Sequence, residues 1–260
     1  MEIVIAGAGI GGLTLALMLH QRGIGCRVYE SAQALRPLGV GINLLPHAVN
    51  ELDQLGLLQA LSQLGVATSA LHYYNKFGQP IWREPRGLHA GYPLPQFSIH
   101  RGEFQMLLAQ TVRDRLGESA IVTGMALESA GQENGRAYAC LRDRASGTLH
   151  TVSGDVVVGA DGIHSALRRQ LHPVGDELRY SGRMLWRAVT RAKPYLDGQT
   201  MFMAGHQDQK FVCYPISEPL RRQGESLINW IAELAVPDGA LPASDWNRRV
   251  DKSVFADRFA

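Results

Sequence analysis

The sequence predicts an α/β fold in which a parallel sheet, begun by a βαβ unit, is interleaved with an antiparallel β-sheet. Three observations support this prediction. Residues 2–30 follow the order strand, glycine turn, helix and strand. A second buried-type strand, Val156–Val158, is followed by a tight turn and another helix. After Pro173 the chain consists of β-rich runs separated by turn residues, which is typical of an antiparallel sheet forming a second layer.

The composition is that of an ordinary globular protein, with 260 residues, 45% hydrophobic and 19% charged side chains and a formal net charge of +2. Paired arginines are scattered along the chain, which argues against a nucleic-acid or membrane surface because basic residues would gather on one face. No uninterrupted apolar stretch reaches the roughly 18 residues that a membrane span needs. The three cysteines stand singly, so we expect no disulfide framework and no metal site, and a cytoplasmic location is the default.

Each element of the βαβ unit has its own sequence signal. The run "EIVIA" at Glu2–Ala6 has the continuous hydrophobicity of a strand buried on both faces. A glycine-rich turn follows, and Leu13–Gln21 is an apolar helix ended by Gly23. Arg27–Glu30 is the second short strand. The crossover between the two strands is expected to be right-handed.

The glycine turn carries the first candidate binding residues. Gly7 permits a tight turn, Gly9 lets the backbone approach a pyrophosphate, and Gly12 lets helix and strand pack closely. The phosphates would lie at the helix N-terminus, where unpaired N–H groups and the helix dipole favour negative charge. Glu30, with Ser31 beside it, can accept hydrogen bonds from a ribose diol. This Rossmann-like pattern predicts an ADP moiety but leaves open whether the dinucleotide is FAD or NAD.

The middle of the chain alternates between helices and hairpins. Residues 31–43 are predicted to be a loop, and Pro46 suits the first position of a helix. The segments 71–75 and 80–83 flank "KFGQ" as a hairpin, and Gly102–Leu116 is helical by pattern. Two more hairpin-like segments, 136–142 and 148–152, precede the strand Val156–Val158.

A second candidate site follows that strand. In "GADGIHSALRR", Asp161 and Gly162 form a turn, and Ser165 and Arg168 are one helical turn apart at a helix start. An NAD dehydrogenase does not need this second element.

At this point the sequence resembles the class A flavoprotein monooxygenases of the para-hydroxybenzoate hydroxylase type, over essentially all of its 260 residues. The resemblance implies bound FAD, with its ADP part on the first fingerprint and its pyrophosphate near Asp161 and Gly162. It implies that Arg101 in "SIHRGEF" contacts the flavin phosphate and ribitol region, where arginine's planar fork of donors is suited. It places the segment Arg36–Asn43, including Gly41, beside the flavin ring.

The resemblance also implies the reaction. NADH or NADPH would be the electron donor, O2 the cosubstrate and a small aromatic ring the oxygen acceptor, so that the flavin carries the chemistry and no catalytic side chain is assigned. Strings such as "RPLGVGINLLPHAV" and "MLWRAVT" look closest to flavin hydroxylases that act on a 5-methylphenazine-1-carboxylate. No nucleic-acid or membrane partner is expected, and the enzyme would be a monomer or homodimer.

We predict a discontinuous FAD-binding domain over residues 1–70 and 98–175, and a substrate domain over 71–97 and 176–250. Trp186, Phe202 and Tyr214 are candidates for a flat aromatic pocket, with simple core packing as the alternative. Relatives carry a third fingerprint of the Gly-Asp-Ala-Ala-His type, which does not occur in this sequence. We therefore expect the substrate domain to be incomplete, with 251–260 as a truncated end.

Two alternative functions stay open at this stage. The first is a flavin-dependent dehydrogenase or reductase without oxygen insertion, which would yield peroxide but no hydroxylated product. The second is an inactive dinucleotide-binding fragment, which the missing third fingerprint favours.

Overall fold

The computed structural model describes residues 1–175, 179–236 and 248–259. Its strands are β1 (Glu2–Ala6), β2 (Gly25–Glu30), β3 (Gly41–Leu44), β4 (Val66–Ala67), β5 (Ala70–Tyr74), β6 (Pro80–Pro85), β7 (Phe97–His100), β8 (Ile121–Thr123), β9 (Met125–Glu133), β10 (Arg136–Asp143), β11 (Leu149–Gly154), β12 (Val156–Gly159), β13 (Arg183–Ala192), β14 (Met201–Gly205), β15 (Gln209–Pro215) and β16 (Ser226–Ala235). Its α-helices are α1 (Ile10–Gln21), α2 (Pro46–Gln54), α3 (Leu58–Leu64), α4 (Arg101–Leu116), α5 (Ala166–Leu171) and α6 (Glu218–Arg222). Short 3-10 turns cover Gly87–Ala90, Glu118–Ala120, Lys252–Val254 and Ala256–Arg258. The predicted α/β class, with parallel and antiparallel sheets, is confirmed.

The chain forms two compact units. The first contains Met1–Leu38 and Arg101–Glu177, and the second contains Gly39–His100 and Leu178–Ala260. The predicted domains placed residues 39–70 with the first unit, whereas their contacts are with the second, because β3 and β4 both pair with β7. Residues 237–247, which belong to the predicted end of the substrate domain, lie outside the described residues.

The first unit is built on a parallel sheet with the order β12-β1-β2-β8. On one face, Val4 and Tyr29 pack against Ala139 and Leu141 of the antiparallel sheet β11-β10-β9. Ile5 follows Val4 on β1, so it points to the other face of the sheet, and it is fully buried there. The continuous apolar pattern that predicted a strand buried on both faces is therefore confirmed for β1.

The second unit is built on a six-stranded sheet with the order β13-β16-β15-β14-β5-β6. The pairings are antiparallel except for β14 with β5, which is parallel. This sheet contains the four β-rich runs predicted after Pro173 and also the predicted 71–83 hairpin. A smaller antiparallel sheet, β3-β7-β4, belongs to the same unit.

The predicted loop at residues 31–43 ends earlier than expected, because β3 begins at Gly41. Gly41 pairs with His100, and its backbone N–H is bonded to the side chain of Asn229, 188 residues away. Both partners are distant in sequence, so no residue near Gly41 indicates the strand. The glycines and the proline of the segment favour a loop, and they were the only local signal.

We expect Asp197 to give the second unit a pH-dependent increment of stability. Burial opposes ionisation, but hydrogen bonds from the Ser69 hydroxyl and the backbone N–H groups of Gln199 and Thr200 outweigh it and lower the Asp197 pKa to about 2. Because this pKa is depressed, the stabilisation is present above the unfolded value near 3.8 and is lost as the pH falls through about 2. Asp197→Asn should lower the free energy of unfolding at neutral pH, because the hydrogen bonds to the charged carboxylate are lost. The loss should be only about 1 kcal/mol, because solvent screens this largely exposed side chain.

The measurement is urea unfolding of the wild type and Asp197→Asn from neutral pH down to pH 2. The difference between them should shrink across the acidic limb. Asp208→Asn, at an exposed aspartate of the same unit, is the control and should show no such convergence. A difference that stays constant down to pH 2 would contradict the assignment.

Candidate dinucleotide-binding site

The carboxyl ends of three parallel strands lie side by side in the first unit. In the register, Ala6 at the end of β1 is opposite Tyr29 of β2 and Gly159 of β12. The glycine turn follows β1, Glu30 ends β2, and the Asp161 turn follows β12. In open α/β sheets, ligands bind outside the carboxyl ends of the strands. The three sequence-predicted elements of the site are thus brought to one edge of the sheet.

The glycines of the turn are required for different reasons. Gly7 has φ +108°, and a Cβ there would come well within 3.0 Å of the Ala160 carbonyl. A Cβ on Gly12 would collide in the same way with the Gly7 carbonyl oxygen. Gly9 differs, because its extended backbone suits any residue and a Cβ there would have no protein atom within 4 Å. Packing therefore explains Gly7 and Gly12, while the open side of Gly9 fits a ligand that approaches the backbone closely.

Glu30 is held by the backbone on both sides of its carboxylate. Its Oε2 accepts a hydrogen bond from the Ala8 N–H at 2.8 Å, and its Oε1 accepts from the Ala32 N–H at 2.8 Å and from the Ser31 hydroxyl at 3.1 Å. A carboxylate has about four acceptor positions, so Oε2 keeps capacity for another donor. Ser31, named with Glu30 from the sequence, therefore contacts that carboxylate and helps to orient it.

Gln105 is a contributor that the sequence analysis did not identify. Its side-chain amide on α4 donates a hydrogen bond to the Ala8 carbonyl at 2.7 Å, which ties the glycine turn to a helix 97 residues away in sequence. A glutamine inside an amphipathic pattern has no local signal for such a role. Only the packing of α4 on α1 reveals it.

The second turn lies against the first. The Ala160 N–H donates to the Ala6 carbonyl at 2.7 Å, and Gly162 has φ +80°. Asp161 Oδ2 accepts from the Ala166 N–H at 2.8 Å, and Ser165 caps α5 by accepting from the Arg168 N–H at 3.0 Å. Asp161 Oδ1 is buried without a hydrogen-bond partner among the described residues. An unpaired buried acceptor of this kind fits a donor supplied by a ligand or an ordered water.

Arg101 is the first residue of α4, one residue before the start predicted by pattern, and its side chain is exposed. The residue after it, Gly102, has no room for a side chain, because a Cβ would come within 3.0 Å of the backbone of Pro37 and Leu38. The start of α4 therefore packs directly on the segment that follows Glu30. Contact of Arg101 with a flavin phosphate stays a prediction.

The open glycine backbone at a helix N-terminus and the oriented carboxylate fit the adenosine diphosphate half of a dinucleotide. The sequence profile of a family described as "FAD binding domain" matches residues 1–244. The chain belongs to this family. The predicted flavoprotein resemblance is confirmed, and FAD rather than NAD is the dinucleotide of the family.

Curated proteins similar to this FAD-binding domain are hydroxylases and monooxygenases by name. The phenazine 1,6-dicarboxylic acid hydroxylase PhzS of Lysobacter antibioticus is 45% identical over 242 residues, which is 92% of this chain and 59% of that protein. The 3-amino-4-hydroxybenzoate 2-monooxygenase of Streptomyces cremeus is 35% identical over 230 residues, which is 84% of this chain and 54% of that protein. The chain thus spans less than two thirds of the length of these relatives.

Solved structures support the fold. Klebsiella pneumoniae HpxO, complexed with FAD and uric acid, matches with a TM-score of 0.77 at 21% identity, covering 100% of this chain and 62% of that one. CtdE, in complex with FAD and its substrate, matches with a TM-score of 0.79 at 16% identity, covering 100% of this chain and 62% of that one. At such identities the likeness concerns the fold alone.

Gly41 lies in the second unit of this FAD-binding domain, at the start of β3. A Cβ on it would lie 2.6 Å from Tyr214 Cε2 and 2.8 Å from both Asn229 Cβ and Ile216 Cγ2. The absence of a side chain is therefore explained by packing within the second unit. A close approach of its backbone to the flavin ring stays a prediction.

The three aromatic candidates do not share a face of the six-stranded sheet. Phe202 is paired with Cys213, so Tyr214, the next residue on β15, points to the opposite face. Tyr214 packs with Leu71, Met201 and Ile216 in a buried cluster, and this burial raises its pKa to about 12.

Trp186 and Phe202 lie on the other face, in a row of aromatic rings. Between ring centroids, Phe202 is 6.2 Å from Phe211, and Phe211 stacks on Trp230 at 6.1 Å. The Phe255 ring centroid lies 5.2 Å from that of Trp186 and 5.8 Å from that of Trp230. A single pocket lined by Trp186, Phe202 and Tyr214 together is inconsistent with this geometry, because strand alternation separates the third residue from the other two. Contact of any one of them with a substrate stays a prediction.

Two absences hold for the described part of the chain. No helix there is long and apolar enough to cross a membrane. Within the same residues, no group of three or more His, Cys, Asp or Glu side chains is arranged to hold a metal ion.

Proposed function

We propose that this chain is the FAD-binding part of an aromatic hydroxylase that takes electrons from NADH or NADPH and uses O2 as cosubstrate. The observation that carries the proposal is the convergence of Gly9, Glu30 and Asp161 at one edge of the parallel sheet. The similarity to hydroxylases and monooxygenases by name supports the reaction class. We further propose a phenazine carboxylate as the substrate, which the 45% identity to a phenazine dicarboxylic acid hydroxylase supports.

When bound, FAD supplies the redox chemistry that links the nicotinamide donor to oxygenation of the ring. The residues of this chain bind and orient it. The backbone at Gly9 and the N-terminal N–H groups of α1 hold the pyrophosphate, and Glu30 accepts from the ribose hydroxyls. Asp161 Oδ1 would accept from a ribitol hydroxyl or an ordered water, and Arg101 would donate to the phosphates through its fork of donors. The first unit thus serves as the cofactor domain and the second as the substrate domain.

The variant Gly9→Ala tests the cofactor site without disturbing the fold. The Cβ would contact no protein atom, so the free energy of unfolding should stay within about 1 kcal/mol of the wild type. The same methyl would stand where a pyrophosphate has to approach, so FAD affinity should fall about 10-fold or more. FAD retention after gel filtration, followed by titration of the flavin absorption, measures both proteins.

Gly25→Ala is the matched control, since a Cβ at Gly25 would meet only the Met1 carbonyl oxygen, at an ordinary contact distance of 3.5 Å, and Gly25 begins β2 at the end of the strand remote from the glycine turn. It should bind FAD like the wild type. If Gly9→Ala and Gly25→Ala bind FAD equally well, the phosphates do not lie at Gly9. For the reaction, NADH and phenazine-1-carboxylate are added to the FAD-loaded protein. Hydroxylated product supports the hydroxylase, whereas NADH oxidation that yields only hydrogen peroxide favours a reductase without oxygen insertion.

A further inference from the structure

We infer that Asn229 is a positioning residue that fixes Gly39–Leu44, which overlaps the segment Arg36–Asn43 expected to run beside the flavin ring. The inference rests on the proposed function for its link to the flavin. The anchoring itself rests on contacts within the second unit. Asn229 lies in the middle of β16 and is fully buried.

The contact joins a side chain of the large sheet to the backbone of the small sheet. Asn229 Oδ1 accepts a hydrogen bond from the Gly41 N–H at 2.8 Å. This N–H belongs to the first residue of β3, where the chain passes from the segment after residue 31 into the sheet with β7. This side-chain amide therefore anchors the first residue of β3.

The backbone of Gly41 packs closely against Asn229 and its neighbour Tyr214. An added Cβ at Gly41 would lie 2.6 Å from the Tyr214 ring and 2.8 Å from Asn229 Cβ, so the backbone of Gly41 lies directly on these two side chains. Asn229 and Tyr214 are directly opposite each other on β16 and β15. The hydrogen bond fixes the position of Gly41 in one direction, and the Tyr214 ring fixes it in another.

Stability alone does not explain an asparagine at this position. Its buried Nδ2 forms no hydrogen bond of normal length among the described residues and interacts with the Tyr214 hydroxyl only beyond that length, and a poorly satisfied buried amide costs up to about 1–3 kcal/mol. An apolar side chain of similar volume would avoid that cost. The presence of an amide is explained if its oxygen is needed to accept the hydrogen bond from the Gly41 N–H.

The test compares Asn229→Leu with Asn229→Asp, which keeps an acceptor, and with Ser226→Ala, a buried polar residue on the same strand that does not contact Gly41. Amide hydrogen exchange of the FAD-free proteins is followed by mass spectrometry. In Asn229→Leu the peptide covering residues 39–44 should exchange at least about 10-fold faster. Protection should return in Asn229→Asp and be unchanged in Ser226→Ala.

Unchanged protection of residues 39–44 in Asn229→Leu overturns the anchoring. Faster exchange in every peptide of the second unit also overturns it, since that would reflect global loosening. FAD titration is the second readout, with a weakening of about 10-fold expected in Asn229→Leu and recovery in Asn229→Asp. Equal FAD affinity in all variants overturns the link to the flavin. A wild type that binds no FAD counts against the proposed function, while the exchange result still decides whether Asn229 fixes Gly41.

Discussion

Replacing Gly12 with alanine is expected to cost about 3 kcal/mol of the free energy of unfolding and to abolish tight FAD binding. The added Cβ would lie well within 3.0 Å of the Gly7 carbonyl oxygen and would also press on Ala160 Cβ. Both neighbours are backbone or short side chains, so neither can rotate away, and overpacking of this kind typically costs 1–3 kcal/mol or more. Helix α1 would have to move off the turn, which would separate its N-terminus from the phosphates.

Gly11→Ala is the control for the stability of Gly12→Ala, because Gly11 and Gly12 are adjacent on the same helix. Its Cβ would meet no atom within 4 Å, and alanine is a better helix former than glycine by up to about 1 kcal/mol. Urea unfolding should therefore place Gly11→Ala at or above the wild type and Gly12→Ala well below it. Similar stabilities for the two variants would show that α1 does not pack on the glycine turn in this way.

The features that could be predicted from the sequence are local ones. The roles of Gly7 and Gly12 follow from spacing within a single strand-turn-helix unit, and the structure gives both a steric reason. The helix start at Ser165 and, to within one residue, the start of α4 were likewise visible as short patterns. In each case the interacting groups are close in sequence, so local propensity and tertiary packing favour the same structure.

The features that could not be predicted depend on distant partners. Gly41 was assigned to a loop beside a ligand, but the residues that require a glycine there are Tyr214, Ile216 and Asn229. The opposite orientations of Phe202 and Tyr214 follow from strand register, which the sequence does not specify across the β14–β15 pair. Gln105 binds the glycine turn from a helix that pattern alone cannot dock. The sequence patterns thus contained no information on the strand register or on the packing of the helix that carries Gln105.

Glu30→Gln is expected to weaken FAD binding by about 10- to 100-fold. The carboxylate accepts from two backbone N–H groups, one on each oxygen, and a glutamine amide can accept from only one of them. The other N–H would face an NH2 group, so the side chain would turn away from the position in which Oε2 can accept from a ribose. A hydrogen bond to a charged group contributes about 1.5–3 kcal/mol, which corresponds to the expected loss of affinity.

The choice of ligand separates this role from a general loss of folding. ADP carries the adenosine ribose and FMN does not, so Glu30→Gln should weaken ADP binding while leaving any FMN binding unchanged. Glu133→Gln, at an exposed glutamate of the same unit, removes the same charge without touching the glycine turn and should bind both ligands like the wild type. If ADP affinity survives in Glu30→Gln, the carboxylate orients the turn through Ala8 and Ala32 alone, and the ribose is held by another group.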